Sequence, residues 1–291
     1  MFKLIKIYLL FTCKHFLKKV FFMLFFNIFI VVVFLCWGSF LNVIAYRSVH
    51  DKKFLQKRSK CNYCNKLIAW YDNIPVISWV ILRSKCRKCK TKISVLYPFI
   101  EIFTCILLTS LFFYIFYVQN NFVFTKNNII SFLAYFIFFS ALIVATRTDL
   151  EEMVIPQIFS IWLVPLGFIF SYLNILEISF ISSFMGAVIG YGILWLVAKL
   201  FKLFTKKDGL GEGDMELLAL IGAFTGIFGV WVTIFLSSLI GVLVAGIYLY
   251  TIKNIPNLKI PFGPFLVLGV ILYFFFKSYF IDFIFYYSMP F

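Results

Sequence analysis

The sequence predicts an all-α polytopic membrane protein of about eight transmembrane helices, carrying one small polar insert stapled by zinc. Three observations lead there. Apolar residues make up 63% of the 291 and charged residues 13%, with a mean hydropathy of +0.99, which excludes an ordinary water-soluble domain. Uncharged apolar runs longer than about 18 residues, the length that crosses a bilayer, recur along the chain. The one long polar segment, 47–96, holds two Cys-x-x-Cys pairs.

In chain order, apolar spans are expected at roughly 21–45, 97–118, 129–147, 154–174, 180–203, 215–230, 231–251 and 262–286. Leu217 to Thr251 is 35 residues without a charge, too long for one ordinary crossing, and predicts two short helices joined near Gly226–Gly229. No repeat of 20–50 residues and no low-complexity linker is visible. The expected domains are an N-terminal segment with the first span (1–46), a zinc-binding insert (47–96) and a transmembrane domain (97–291). The 41 phenylalanines read as compositional drift.

A net charge of +15 invites a nucleic-acid reading, which the charge distribution opposes. Thirteen of the 27 Lys and Arg lie between Arg47 and Lys92, and most others flank apolar runs, where they mark the cytoplasmic side. Loops at Lys202–Lys207 and Lys253–Lys259 fall on that same side, with membrane lipid as the partner of their charge. Eight spans then put both termini outside. Lys3, Lys6, Lys14, Lys18 and Lys19 run against this, and either an amphipathic surface helix or a later start at Met23 accommodates them.

Cys61-Asn-Tyr-Cys64 and Cys86-Arg-Lys-Cys89 are separated by 21 residues. Each pair presents two thiolates to one metal, and the two pairs complete a closed tetrahedral Zn2+ site that is structural, not catalytic. Redox or disulfide pairing is the alternative, disfavoured on the cytoplasmic side. An insert of about 50 residues has too little core to fold without such a staple. Cys13, Cys36 and Cys105 read as packing residues in or beside apolar spans.

Twelve Asp and Glu occur in the chain, and those at membrane depth are functional candidates by default. Asp149 closes the third span and Asp214 opens the sixth, both at the cytoplasmic boundary. Two carboxylates brought together share a proton, supplying one general base and one general acid. Gly211 and Gly213 flank Asp214 and let a substrate backbone approach closely. The competing reading is a pair of solvated carboxylates at helix ends, where the dipole alone favours Asp214.

Six ordered segments carry a resemblance: Gly38–Arg47, Trp70–Pro75, Tyr97–Glu101, Asp149–Pro156, Gly211–Ala219 and Pro261–Leu266. Together with the cysteine quartet they resemble the type IV prepilin peptidases, also called leader peptidase/N-methyltransferases. The resemblance implies a G-x-G-D membrane aspartyl protease of the bacterial cytoplasmic (inner) membrane, its active site facing the cytoplasm. Its substrates would be type IV prepilin or pseudopilin precursors with basic leaders. The new N-terminal residue would then be methylated from S-adenosylmethionine. By motif, Asp149 and Asp214 take the catalytic positions. Glu101 is a candidate to hold the methyl donor or the substrate amine, with a salt bridge to the basic loop as the other reading. Asn42 and Arg47 stand between substrate contact and helix-end structure. Glu216 departs from the family's usual lysine, and Arg47 is followed by Ser48-Val49-His50 in place of the usual Leu-Pro.

Two rival functions belong to other classes. A proton-coupled transporter would place acids near the bilayer midplane in two matching halves, and neither is visible. A non-enzymatic zinc-ribbon assembly protein accounts for the cysteines but not for two boundary aspartates beside a glycine-rich turn.

Overall fold

A computed structural model describes residues 2–50, 59–119, 123–206, 209–251 and 260–288. Lys52, Lys53, Lys57, Arg58, Lys207, Lys253 and Lys259, counted in the charge argument above, lie outside these residues, as do the side chains of Cys13 and of Lys3 to Lys19. The described chain is helical with no named strand: α1 (Phe2–Val49), α2 (Ile77–Ile81), α3 (Leu96–Phe113), α4 (Lys126–Glu152), α5 (Val164–Tyr172), α6 (Phe180–Thr205), α7 (Glu212–Thr251) and α8 (Gly263–Ser288). Six helical stretches among the described residues are long and apolar enough to cross a membrane: Leu24–Val49, Leu96–Val118, Lys126–Glu152, Phe180–Thr205, Glu212–Tyr248 and Gly263–Phe283.

The eight expected spans map onto these six helices, a break within one of them, and one shorter apolar stretch. The expected pair at 215–251 is the single element α7, interrupted at Gly226, whose φ of 73° and ψ of −175° leave the helix. A side chain there would be strained by that backbone and would also meet Ser182, so glycine marks the break. The expected span at 154–174 is not one helix. It is two short 3-10 turns, Gln157–Phe159 and Ile161–Leu163, followed by α5. Pro156 and Pro165 cannot donate to a helix interior, and Ser160 between the turns takes φ −125° and ψ −96°.

Two compact units divide the chain. The first comprises residues 1–40 and 60–110, the second 41–59 and 111–291. Within the second unit, α7 lies along both α6 and α8, α4 meets α8, and α5 lies against α6 and α7. Its core includes Phe138, Phe139, Leu142, Leu217, Leu220, Phe224 and Val270, with the Phe138 and Phe224 rings stacked at 4.5 Å. Ser183 of α6 donates to the Ala223 carbonyl of α7 at 2.6 Å, so a buried hydroxyl is satisfied across the helix pair.

In the first unit, Cys105 is buried on α3 and its thiol approaches the Val31 carbonyl of α1 at 3.5 Å, in keeping with a packing role. Cys36 is exposed instead, on a helix face that apolar residues such as Val32 and Phe40 also leave open. In a bilayer such a face meets lipid, so the expectation that Cys36 packs inside is corrected.

Candidate active site and metal centre

Asp149 sits in the last turn of α4, where Met153 in the left-handed region caps the helix and returns its N–H to the Asp149 carbonyl at 3.0 Å. The carboxylate is buried, and its Oδ2 accepts the Gly263 N–H at 2.9 Å. Gly263 is the first residue of α8, so Asp149 caps that helix and meets the positive end of its dipole. A Cβ on Gly263 would stand 2.7 Å from Asp149 Oδ2, which explains a glycine in Pro261-Phe-Gly-Pro264.

Asp214 lies in the first turn of α7, its N–H turned back to the Gly211 carbonyl at 3.3 Å. It is half-buried, whereas Gly211 is exposed. One side chain measures how near the two acids are. Ile155 fits against Gly213 beside Asp214, and its Cδ1 also reaches the Gly263 that holds Asp149. The fold therefore brings Asp149, Asp214, Gly211 and Gly213 together from separate helices.

Two buried polar groups flank this pair, Arg147, which the sequence reading passed over, and Glu216, which it marked only as a departure from the family's lysine. Arg147 is fully buried on α4, yet it is paired: Nη1 lies 2.6 Å from Glu151 Oε2 and Nε donates to Asn42 Oδ1 at 3.1 Å. An arginine inside an apolar span two residues before a candidate acid was a readable signal. Asn42 is thus a holder of Arg147, while Arg47 ends α1 half-buried. Glu216 is buried one turn into α7, accepting from Gln157 Nε2 at 2.9 Å and Ser160 Oγ at 2.8 Å. It ties the segment after Ile155 to the helix that carries Asp214.

In the first unit, Glu101 of α3 is buried and its Oε2 accepts the Val76 N–H at 2.8 Å. Val76 adopts φ 60° and ψ −51°, with Ile77 N–H returned to the Pro75 carbonyl at 2.6 Å, which is a strained γ-turn at a β-branched residue. Glu101 therefore bonds the backbone at Val76 and the Ser39 hydroxyl. Asn73 closes the 3-10 turn Trp70–Asn73, a turn position as its residue type suggests.

The four sulfurs of Cys61, Cys64, Cys86 and Cys89 lie within 4.8 Å of one another, with Cys61 and Cys89 3.8 Å apart. A zinc–sulfur bond of about 2.3 Å in a tetrahedron needs sulfurs about 3.8 Å apart, so the quartet fits zinc. The two knuckles share one backbone design. Cys61 N–H bonds to the Lys66 carbonyl and Asn65 N–H to that of Cys61, and Cys86–Thr91 and Lys90–Cys86 repeat both bonds. Asn65 and Lys90 both take positive φ. Crowding sets the thiols apart. The Thr91 hydroxyl and N–H lower Cys89 to about 6. Cys64 receives a lowering backbone bond from Lys66, yet desolvation and the sulfurs of Cys61 and Cys89 push it up to about 11. A divalent cation removes that conflict by holding all four as thiolates. Arg87, between the second pair, grips Asp72 through Nε and Nη2 at 2.7–3.0 Å and ties the knuckle to the Trp70–Asn73 turn.

The model of the bacterial Peptidase A24 N-terminal domain matches residues 32–115, and that of the type IV leader peptidase family matches 136–246. A prepilin leader peptidase/N-methyltransferase of Stutzerimonas stutzeri is 33% identical over 255 residues, covering 80% of this chain and 84% of its own. That of Neisseria gonorrhoeae is 35% identical over 254 residues, covering 78% and 82%. That of Pseudomonas aeruginosa is 34% identical over 212 residues, covering 72% and 69%. No solved structure matches the chain.

Proposed function

The chain belongs to the type IV leader peptidase family, and from that premise we propose that Asp149 and Asp214 cut leader peptides from prepilin-like precursors. The observation that supports this reading is the convergence of two carboxyl groups from α4 and α7 around Ile155, beside the exposed Gly211. One carboxylate takes a proton from water as the water oxygen bonds to the scissile carbonyl carbon. The other, protonated, supports the carbonyl oxygen and then protonates the leaving amine as the C–N bond breaks. Gly211 and Gly213 leave room for the substrate backbone. Asp149, already holding the Gly263 N–H, is the more fixed of the two acids.

The site faces the cytoplasm in the bacterial inner membrane, where a basic leader stays in water and its apolar helix stays in lipid. Residues 1–46, 47–96 and 97–291 serve as anchor, zinc insert and peptidase domain. Zinc at the four cysteines is structural, since four sulfurs leave no open position. S-adenosylmethionine supplies an electrophilic methyl group for the new N-terminal amine. Glu101 fits the donor or the amine, being a buried carboxylate fixed by the Val76 N–H. Asn42 and Arg47 act through the end of α1, Asn42 by holding Arg147. The transporter and assembly-protein readings are not favoured, because the matched family is one of peptidases.

The test is cleavage of a purified pilin-type precursor by the detergent-solubilised protein. Asp149→Asn and Asp214→Asn should each lower cleavage by several orders of magnitude, and the double variant should be no worse, because the acids act as a unit. Full activity in either single variant would overturn the assignment.

A further inference from the structure

Helix α2 turns one face into its unit and leaves the other uncovered. On the inner face Ser78 is buried and donates to the Tyr71 carbonyl at 3.0 Å, and Trp79 Nε1 donates to the Ile93 carbonyl at 3.3 Å. On the outer face Ile77, Val80 and Ile81 are 55%, 61% and 69% exposed, and Ile74, in extended backbone before the helix, is 39% exposed. Within α2 the spacing of three and four residues puts Ile77, Val80 and Ile81 on one side of the helix. Trp70, seven residues before Ile77, is 77% exposed. So many exposed apolar side chains in and just before one short helix call for a cover.

Charge identifies the cover. Residues 59–95 hold eight Lys and Arg against one acid, Asp72, which is already paired with Arg87. Four zinc-bound thiolates would remove two of those charges and leave the segment basic. Arg83 and Lys85, exposed, follow the α2 stripe directly. A basic leader peptide is repelled by such a rim, whereas an anionic phospholipid surface is attracted. Tethering points the same way. The segment joins α1 and α3, both long and apolar enough to cross a bilayer, so it is held beside the membrane at both ends.

We propose that the outer face of α2 lies in the headgroup region of an anionic leaflet, seating Ile77, Val80, Ile81 and Trp70 at the acyl boundary and the basic residues on phosphate. This is the interfacial arrangement of an apolar stripe with a cationic rim, and tryptophan favours that depth. The interaction does not depend on the peptidase reading.

The test uses the full chain in nanodiscs of phosphatidylcholine with or without phosphatidylglycerol, with photoreactive benzoylphenylalanine replacing Ile81. Mass spectrometry of the irradiated protein should show phospholipid adducts, roughly tenfold more abundant with phosphatidylglycerol. Arg83→Gln with Lys85→Gln should erase most of that difference. Unchanged zinc content reports an intact module, and the same probe at Val80 replaces any variant that loses its metal. Equal adduct yields in the two lipids, adducts to protein instead of lipid, or no adduct at all would each overturn the proposal. Cleavage activity does not enter the readout, so failure here is separable from failure of the peptidase assignment.

Discussion

Glu216 follows Asp214 by two residues and so leaves α7 on a different side, toward the segment that follows α4. There it accepts two hydrogen bonds from Gln157 and a fully buried Ser160. Those residues come directly after Ile155, the side chain lying between the holders of the two aspartates. Glu216 is therefore a positioning residue. Glu216→Ala should leave one buried donor, the Ser160 hydroxyl, unsatisfied and the exposed Gln157 amide to water, costing about 1–3 kcal/mol of stability, and should lower kcat roughly tenfold with KM little changed. Glu216→Gln, which keeps an accepting oxygen, should recover most of kcat. A thermal melt beside steady-state cleavage checks both, and equal kcat in the alanine variant and the parent would remove the role. The sequence marked Glu216 only as a departure from the family's lysine. Its meaning lies in partners about 60 positions away, as does that of Arg147, whose Asn42 partner is 105 residues distant. Asp149 and Asp214 were legible because a carboxylate at a membrane boundary is anomalous by itself. The strain at Val76 was not, since nothing in its residue type foretells a positive φ.

At the scale of elements, the cysteine knuckles show both what a sequence displays and what is easily overlooked. The cysteine spacing announced a sulfur cluster that could hold a metal ion. Lys60-Cys-Asn-Tyr-Cys-Asn-Lys-Leu-Ile68 recurs as Lys85-Cys-Arg-Lys-Cys-Lys-Thr-Lys-Ile93, a repeat of one short turn and not of a whole structural unit, and so too brief to show as a 20–50-residue period. Each copy is one loop with a left-handed residue after its second cysteine, and neither has a hydrophobic core of its own. Cys61→Ser should accordingly release the metal and raise amide exchange across 59–95, while α4 to α8 keep their protection. Elemental analysis and hydrogen exchange of the same sample report both. Retained zinc, or exchange that rises equally throughout the chain, would contradict the role. The helices were similarly readable in part. Hydropathy located every long span, and Gly226 foretold where α7 leaves regular helix, whereas the break after Pro156 was not expected. Hydropathy does not distinguish a crossing helix from the short turns at 157–163 followed by α5, since all are equally apolar.

For the whole molecule, two separate family models cover 32–115 and 136–246, which raises the question of whether the two chemistries are separable by substitution. Carbonyl hydrolysis needs an activated water and an acid, which two carboxyl groups supply. Amine methylation needs a neutral amine aligned with a sulfonium methyl, which a buried carboxylate can orient and relieve of its proton. Asp214→Ala should then still methylate a pre-cleaved substrate with a free N-terminal residue, at close to the parent rate. Glu101 demands a subtler variant, because its carboxylate also holds the strained Val76 turn. Glu101→Gln keeps an oxygen for the Val76 N–H but cannot accept the amine's proton, whereas Glu101→Ala loses both functions. If the charge matters, the glutamine variant should cut leaders normally and methylate at least about tenfold more slowly. If only the turn matters, glutamine should methylate like the parent and alanine alone should fail, with a fall in thermal stability. Mass spectrometry of the mature N-terminus reads leader loss and the methyl increment in one measurement. Methylation that disappears with Asp214→Ala would show one shared site instead of two, and normal methylation in both Glu101 variants would remove Glu101 from the chemistry.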